Sequence, residues 1–393
     1  MIRLSKLVKF DTIRWLYPKA IEHCDMFDNA PCAEFMSEDS LSFFSDFSAF
    51  LLHQEKVKEE PVLVSLAFWL RSANLTQIAQ KYTKNQHEPL GSVFQIAPNN
   101  IDTLFFYSLT LGILTGNKVV VRLGNTASPI ASLLIEQFIE YCAKSHYQAA
   151  NRLALVSYPR NDDISGSLVA HADGIVVWGG DATVNHFKTL KTKNSCKNLY
   201  FPDRYSIALL GEIAKSDIQK AAKGFITDVQ SFSQQACASP RVVVWLPNVT
   251  TRTKQLFWSV VNEHWGNTQL TTAEQVDRQV YIQYLVMRGQ TQALSSFDDF
   301  DVIDVSHIQQ QDIELHCGNY IFVQNHLSSL HDLNALLQPK LQGISYYSVS
   351  DEERLEVQSL AGGEHIRRWS LLGQSLQFSH VWDGVDMVSE LSN

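Results

Sequence analysis

The sequence predicts an α/β protein built on a doubly wound parallel sheet, and three observations carry that prediction. Short, β-branched apolar runs recur from residue 92 onward. Longer helical patterns separate them, giving the strand–helix–strand repetition of parallel βαβ units with helices on both faces. A second set of strands and helices follows residue 225 with no Pro/Gly/Ser linker before it. A chain of 393 residues is too long for one ordinary core, so two domains are expected.

Taken in order, the first ninety residues read as an irregular, mostly helical entry. DSLSFFSDFSAFLLHQ predicts one amphipathic helix and VLVSLAFWLRSANLTQIAQKY a second. SVFQIA, bounded by Gly91 and Pro98, predicts a strand. NNIDTLFFYSLTLGILTG predicts a helix with Asp102 near its start and Gly116 near its stop. KVVVRL is a buried strand, and SPIASLLIEQFIEYCAKS a helix with Pro129 in its first turn. LALVSY and GIVVWGG are strands, DATVNHFKTLK a helix, and NLYFPD and SIALLG further strands. Beyond residue 225, ITDVQSFSQQ predicts a helix, ACASP a loop and RVVVWLP a strand. TKQLFWSVVNEHW and TAEQVDRQVYIQYLVMRG predict helices, and short strands are expected near DVIDV, NYIFVQ and GISYYSV.

Composition narrows the function. With 32 Lys and Arg against 41 Asp and Glu the formal charge is −9, which argues against a nucleic-acid binder. No run reaches the roughly 18 apolar residues of a membrane span. The opening MIRLSKLVKFDTIRW has basic residues but no continuous apolar stretch and no small-residue cleavage site, so a cytoplasmic protein is expected. The cysteines at 24, 32, 142, 196, 237 and 317 form no CxxC pair and no zinc pattern, so no metal is expected.

Ligands of a doubly wound sheet bind beyond the carboxyl ends of its strands, so the residues after Ala97, Leu123 and Trp178 matter most. Gly179 and Gly180 end a strand and precede a helix, where backbone N–H groups receive a phosphate, and Thr183 adds a hydroxyl. The competing reading is a plain strand-to-helix turn. Asn99 and Asn100 in IAPNN stand at a strand end, where a side-chain amide can donate to a developing oxyanion or simply cap the following helix. Cys237 in SFSQQACASPRVVVW has small neighbours, Ala236, Ala238 and Ser239, that leave space around a nucleophilic sulfur; a structural thiol is the alternative.

The combination resembles a known family. IAPNNIDTLFFYSLTLGILTGNKVVVRL parallels the aldehyde dehydrogenase segment I-x-P-W-N-x-P, helix, A-G-N-x-V-V-x-K-P. QQACASP is similar to the active-site cysteine segment of the acyl-CoA reductases of bacterial luminescence (the LuxC type), and RRWSLLGQSLQFSHVWDGVDMV to that branch's ending. The resemblance covers about residues 90 to 390 by motif order. It implies an aldehyde dehydrogenase-like α/β fold, a Rossmann-like cofactor domain plus an α/β catalytic domain. The expected divisions are 1–226 for the entry helices and cofactor domain, 227–360 for the catalytic domain and 361–393 for a C-terminal return segment.

The resemblance further implies NADPH-dependent reduction of an acyl thioester to an aldehyde, with NADH as the alternative cofactor. Cys237 aligns with the nucleophile and Asn100 with the oxyanion donor. Arg122 aligns with the residue that meets the adenosine ribose or its 2′-phosphate, and Gly180 with the pyrophosphate turn; Pro98, Gly179 and Thr183 complete the implied cofactor set. Two departures stand out. The family's glutamate base should fall near YFPDRYSIALLGE, where no glutamate occupies the strand end and Ser206 lies close. The E-x-F-G-P segment has no clear equivalent near HCGNYIFV. The missing base favours a reductase over an oxidising dehydrogenase, unless a distant group such as Glu212 or His264 supplies it. A catalytically silent binding protein and a plain acyltransferase are the remaining alternatives. The implied partner is an acyl thioester of coenzyme A or of a carrier protein, with a homo-oligomer as a further expectation.

Overall fold

The β-branched runs do form strands, and the glycines and prolines between them end those strands where the pattern says they should. The computed structural model describes residues 1–18, 24–98, 102–124, 128–266, 268–362 and 366–393. They divide into two units, Met1–Asp203 with Phe378–Asn393, and Arg204–Gln377.

The first unit runs β1 (Arg14–Tyr17), α1 (Cys24–Asn29), α2 (Glu38–Leu52), α3 (Glu55–Lys58), α4 (Pro61–Trp69) and α5 (Ser72–Ala79). It continues β2 (Ser92–Ile96), α6 (Leu104–Leu114), β3 (Lys118–Leu123), α7 (Pro129–Lys144), β4 (Leu153–Ser157), α8 (Asp162–His171), β5 (Gly174–Trp178), α9 (Asp181–Thr189) and β6 (Lys197–Phe201). The sheet order is β1-β4-β3-β2-β5-β6, parallel except for β1. The order reverses between β2 and β5, which is the switch point of a doubly wound sheet. β2, β4 and β5 are buried along their whole length, as strands covered on both faces must be. The single helix expected over residues 62–82 is two: α4 ends with Leu70 as its C-cap, and the Asn74 side-chain amide donates to the Phe68 carbonyl in its last turn (2.8 Å). No single helix among the described residues is long and apolar enough to cross a membrane; α4 and α5 pass such a test only together, across a 49° bend.

The second unit runs β7 (Tyr205–Leu210), α10 (Ile218–Gln230), β8 (Pro240–Trp245), α11 (Thr251–His264), α12 (Thr272–Met287), β9 (Thr291–Ser296), β10 (Asp301–Val305), α13 (Gln310–Glu314), β11 (Ile321–His326), β12 (Leu341–Tyr347), α14 (Asp351–Leu360) and β13 (Arg368–Leu371). Its sheet order is β13-β12-β7-β8-β11-β10-β9, with only β9 antiparallel. Phe225 of α10, Phe257 and Trp258 of α11 and Phe322 of β11 pack ring against ring in its core. The buried Trp245 and Trp258 both donate to Gln324, whose amide donates in turn to Asp304, so the two indole N–H groups of this core are matched.

The seam between the units falls at 203/204, not at the expected 226/227. β7 is the reason: it lies between β12 and β8, with Ser206 in register with Pro240. The expected return segment 361–393 is also divided. β13 pairs with β12, and Asp228 on α10 accepts from the backbone of Gly373 (2.7 Å) and Ser375 (2.9 Å), holding that stretch in the second unit. From Phe378 the chain belongs to the first unit. There β14 (Val381–Trp382) and β15 (Val385–Asp386) form a hairpin through Asp383 and Gly384, both at positive φ, and α15 (Met387–Glu390) follows. Tyr107 donates to the Ser379 carbonyl (2.6 Å) and Asn117 to that of Leu391 (2.7 Å).

Candidate functional sites

The first candidate site lies at the carboxyl edge of the first unit's sheet. Ile96 of β2 is in register with Arg122 of β3 and Val177 of β5, and the Ala97 N–H donates to the Arg122 carbonyl (3.0 Å). Pro98, Arg122 and Gly179 therefore leave the sheet along one edge, as the sequence implied. Arg122 is half-buried. One of its terminal nitrogens donates to the Tyr158 carbonyl (3.1 Å), and the guanidinium stands 4.7 Å from the centre of the Tyr158 ring. Its Nε is buried without a hydrogen-bond partner among the described residues. A buried guanidinium donor left unmatched is costly, and an anionic oxygen would satisfy it.

Gly180 is the N-cap of α9, and a Cβ placed there would meet nothing within 4 Å. The helix therefore begins against open space. Thr183 lies one turn in, and its N–H donates to the Gly180 carbonyl (2.9 Å); a Cβ at Gly179 would come within 3.3 Å of the Thr183 side chain. Trp178 holds the turn from the strand side. Its ring stacks on Phe201 with centroids 4.0 Å apart, its Nε1 donates to Ser108, and the Gly179 N–H donates to the Phe201 carbonyl. Asp181 puts a carboxylate in the first turn, which complements the helix dipole but adds a negative charge beside any bound phosphate. An open helix N-terminus, an unmatched guanidinium donor and the switch-point position fit a dinucleotide. Asn99 and Asn100 lie outside the described residues.

The second candidate site lies at the amino ends of β7 and β8. Cys237 is half-buried in the loop before β8, and the Ser206 hydroxyl donates to its carbonyl (2.8 Å). The loop is unusual. The helix expected over 226–235 ends at Gln230, and Phe232, Ser233 and Gln234 follow at φ of 57°, 50° and 62°. L-residues avoid that left-handed region at a cost of about 1 kcal/mol or more each, so neighbouring contacts must enforce it. Gln234 is fully buried, and its amide donates to the carbonyls of Pro240 and Ile321 (2.9 Å each).

A second left-handed run, Gly318, Asn319 and Tyr320, meets the first. The Asn319 N–H donates to the Ser233 carbonyl (2.8 Å), the Gln235 amide to the Asn319 side chain (3.1 Å), and the Tyr320 hydroxyl to the Gln230 carbonyl (3.0 Å). Gly318 is required there, since a Cβ would come within 2.9 Å of the Ser233 carbonyl oxygen. His316 anchors this second run. Its Nδ1 accepts from the Gly318 N–H (3.0 Å), and its Nε2, assigned the proton by this network, donates to the Ile321 carbonyl (3.0 Å). Complete burial, with the nearby Arg241 charge, pushes the His316 pKa down to about 3. The imidazole is neutral and structural. HCGNYIFV, which lacked the family's ribose motif, thus braces the cysteine loop.

The distant bases raised by the sequence have other partners. Glu212 lies beyond the carboxyl end of β7, six residues and roughly 20 Å of strand from Ser206. It accepts from the Thr250 N–H (2.8 Å) and from the Thr250 and Thr253 hydroxyls at the start of α11. Nε2 of His264 meets the Gln219 side-chain amide (2.9 Å). Among the described residues no group of His, Cys, Asp and Glu could hold a metal ion.

A doubly wound nucleotide-type sheet, and a second parallel sheet carrying a cysteine loop at its strand ends, define the aldehyde dehydrogenase class of fold. PnpE in complex with nicotinamide adenine dinucleotide superposes with a TM-score of 0.67 at 13% identity, over 91% of this chain and 85% of that one. An NAD-dependent aldehyde dehydrogenase from Sinorhizobium meliloti does so with 0.66 at 14%, over 94% and 83%. Within that class the chain belongs to the acyl-CoA reductase (LuxC) family, whose model matches residues 60–393. It is 25% identical over 167 residues to the long-chain acyl-protein thioester reductase of Aliivibrio fischeri, covering 42% of this chain and 33% of the relative. It is 23% identical over 222 residues to long-chain acyl-protein thioester reductase 2 of Photobacterium leiognathi, covering 52% and 46%. The matched stretches thus span less than half the length of these two relatives.

Proposed function

We propose that the chain reduces an acyl thioester to an aldehyde, with Cys237 as nucleophile and a reduced nicotinamide dinucleotide as hydride source. The observation that carries this reading is the bond from Ser206 to the Cys237 carbonyl. Where the resemblance expects a glutamate base, a serine instead steadies the nucleophile's backbone. The Cys237 thiolate attacks the acyl carbon, and the carrier thiolate leaves, so one thioester replaces another. The bound cofactor would supply the hydride that turns this thioester into a thiohemiacetal. Cleavage of the carbon–sulfur bond then frees the aldehyde and regenerates the thiolate. We assign Asn100 and the Cys237 backbone N–H as donors to the oxyanion formed at each addition.

Gly179, Gly180 and Thr183 would receive the pyrophosphate and Pro98 would border the site. Arg122, on the strand whose end reads the ribose in such sheets, would select NADPH over NADH by pairing with a 2′-phosphate. The relatives' names speak of acyl-protein thioesters, and we take a coenzyme A ester or a protein-bound acyl group as donor. Six cysteines with no disulfide among the described residues fit the reducing cytoplasm.

The test is aldehyde formation from a panel of acyl thioesters with NADPH and with NADH. Cys237→Ala should lower the rate by at least roughly 10⁴-fold while leaving the melting temperature and cofactor binding unchanged. Undiminished aldehyde formation in that variant would remove Cys237 from the mechanism.

A further inference from the structure

Asp228 is fully buried on α10. One of its oxygens accepts from the Gly373 N–H (2.7 Å) and the other from the Ser375 N–H (2.9 Å). A carboxylate at that depth is costly unless it is matched. Burial, working against those bonds and against the charge of Arg368 on β13, pushes its pKa up to about 6. Arg368 holds the same loop by its carbonyls, donating through Nη2 to Gln374 (3.2 Å) and Gln377 (3.1 Å). Gly224 and Phe225, one turn before Asp228, are uncharged.

At Gly224 the two backbones touch. A Cβ there would come within 2.8 Å of the Leu372 carbonyl oxygen, and one at Gly373, where φ is 92°, within 2.9 Å of the Gly224 Cα. α10 therefore cannot slide or turn without moving the 372–375 loop with it. Just beyond this contact the chain turns toward the nucleophile. α10 ends at Gln230, whose carbonyl accepts from the Tyr320 hydroxyl, and the left-handed run Phe232–Gln234 leads on to Cys237. An apolar side chain at 228 would fill the same space at less cost, but would leave the Gly373 and Ser375 N–H groups without those bonds.

We propose that Asp228 is a positioning residue for Cys237: its carboxylate ties the end of α10 to the 372–375 loop and so fixes the point from which the cysteine loop starts. The proposal rests on the reading of Cys237 as the acyl acceptor.

The test compares two reactions of one thiol on the full chain, acylation by a labelled acyl thioester and alkylation by iodoacetamide, each mapped to Cys237 by peptide mass. Both need the thiolate, but only acylation needs the sulfur held against oxyanion donors. Their rate ratio therefore reports position and not ionisation. In the wild type the ratio should be about threefold lower at about pH 5.5 than at about pH 8, because a protonated carboxyl no longer accepts both N–H bonds. Asp228→Asn is neutral at every pH and accepts through one oxygen only. It should lower the ratio roughly 10-fold at about pH 8 and remove its pH dependence, with the alkylation rate unchanged. A wild-type ratio that stays constant over that pH range would overturn the proposal, whether or not the variant folds. So would an Asp228→Asn protein that keeps the wild-type ratio or its pH dependence. Failure of the underlying reading is distinct: absence of any acyl adduct on wild-type Cys237 would overturn both.

Discussion

The two candidate sites are built in opposite ways. At the carboxyl edge of the first unit's sheet the chain is left open: Gly180 faces empty space at the start of α9, and Arg122 Nε is unmatched among the described residues. At the cysteine loop of the second unit almost every turn is braced, with two left-handed runs locked by Gln234, Asn319, Gln235 and His316. The contrast matches what each is proposed to do. A surface that binds a ligand reversibly keeps its donors unspent, whereas a nucleophile gains from a backbone that does not move when bonds form and break.

That contrast can be broken most sharply at Arg122. Arg122→Ala should raise the dissociation constant for NADPH by roughly 10²-fold, the scale of a lost charge-assisted pair, and change that for NADH several-fold at most. Equal losses for the two cofactors would mean that Arg122 does not read the phosphate. Acylation of Cys237 in the absence of cofactor should be unaffected.

Gln234→Ala probes the braced side. It removes two buried hydrogen bonds and leaves the Pro240 and Ile321 carbonyls without them, which should cost about 2–3 kcal/mol in denaturant unfolding. It should also slow acylation of Cys237 while dinucleotide affinity stays unchanged. A variant acylated at the wild-type rate would show that the brace serves stability alone.

The same brace has an acid limit. His316 titrates at about 3 in the folded protein and near 6.5 when unfolded. Its folded pKa is depressed, so its contribution is complete above about 6.5 and is lost as the pH falls toward 3. Between about pH 6 and 4 the wild type should lose up to about 1.4 kcal/mol per pH unit more than His316→Gln. Parallel stability curves for the two would place the acid sensitivity elsewhere.

Sequence pattern reached the two sites to different depths for the same reason that they differ in build. The open site depends on local features, a β-branched run followed by Pro98 or Gly179–Gly180, and period and glycine position expose these directly. The cysteine is proposed from QQACASP by resemblance. The bracing of its loop was not legible, because Gln234 and Ile321 lie 87 positions apart, and nothing in SFSQQ signals three consecutive left-handed residues. Tertiary hydrogen bonds there override a helical pattern. β1 and β9 were missed as well; both are edge strands pairing antiparallel with one neighbour, and β9 has no buried face to give it an alternating pattern. The seam at 203/204 followed from strand order, which a one-dimensional pattern does not contain.

The central claim is that Cys237 carries an acyl group that hydride, and not water, removes. Its most direct test follows a labelled acyl thioester by intact mass on the purified chain, with and without NADPH. The account predicts a single acyl adduct on Cys237 that persists without cofactor, since Glu212 and His264 are engaged elsewhere and Ser206 holds the loop backbone. Added NADPH should clear the adduct rapidly, with aldehyde as the product. Release of free acid at a comparable rate without cofactor would contradict the account, because it would require a hydrolytic base beside Cys237.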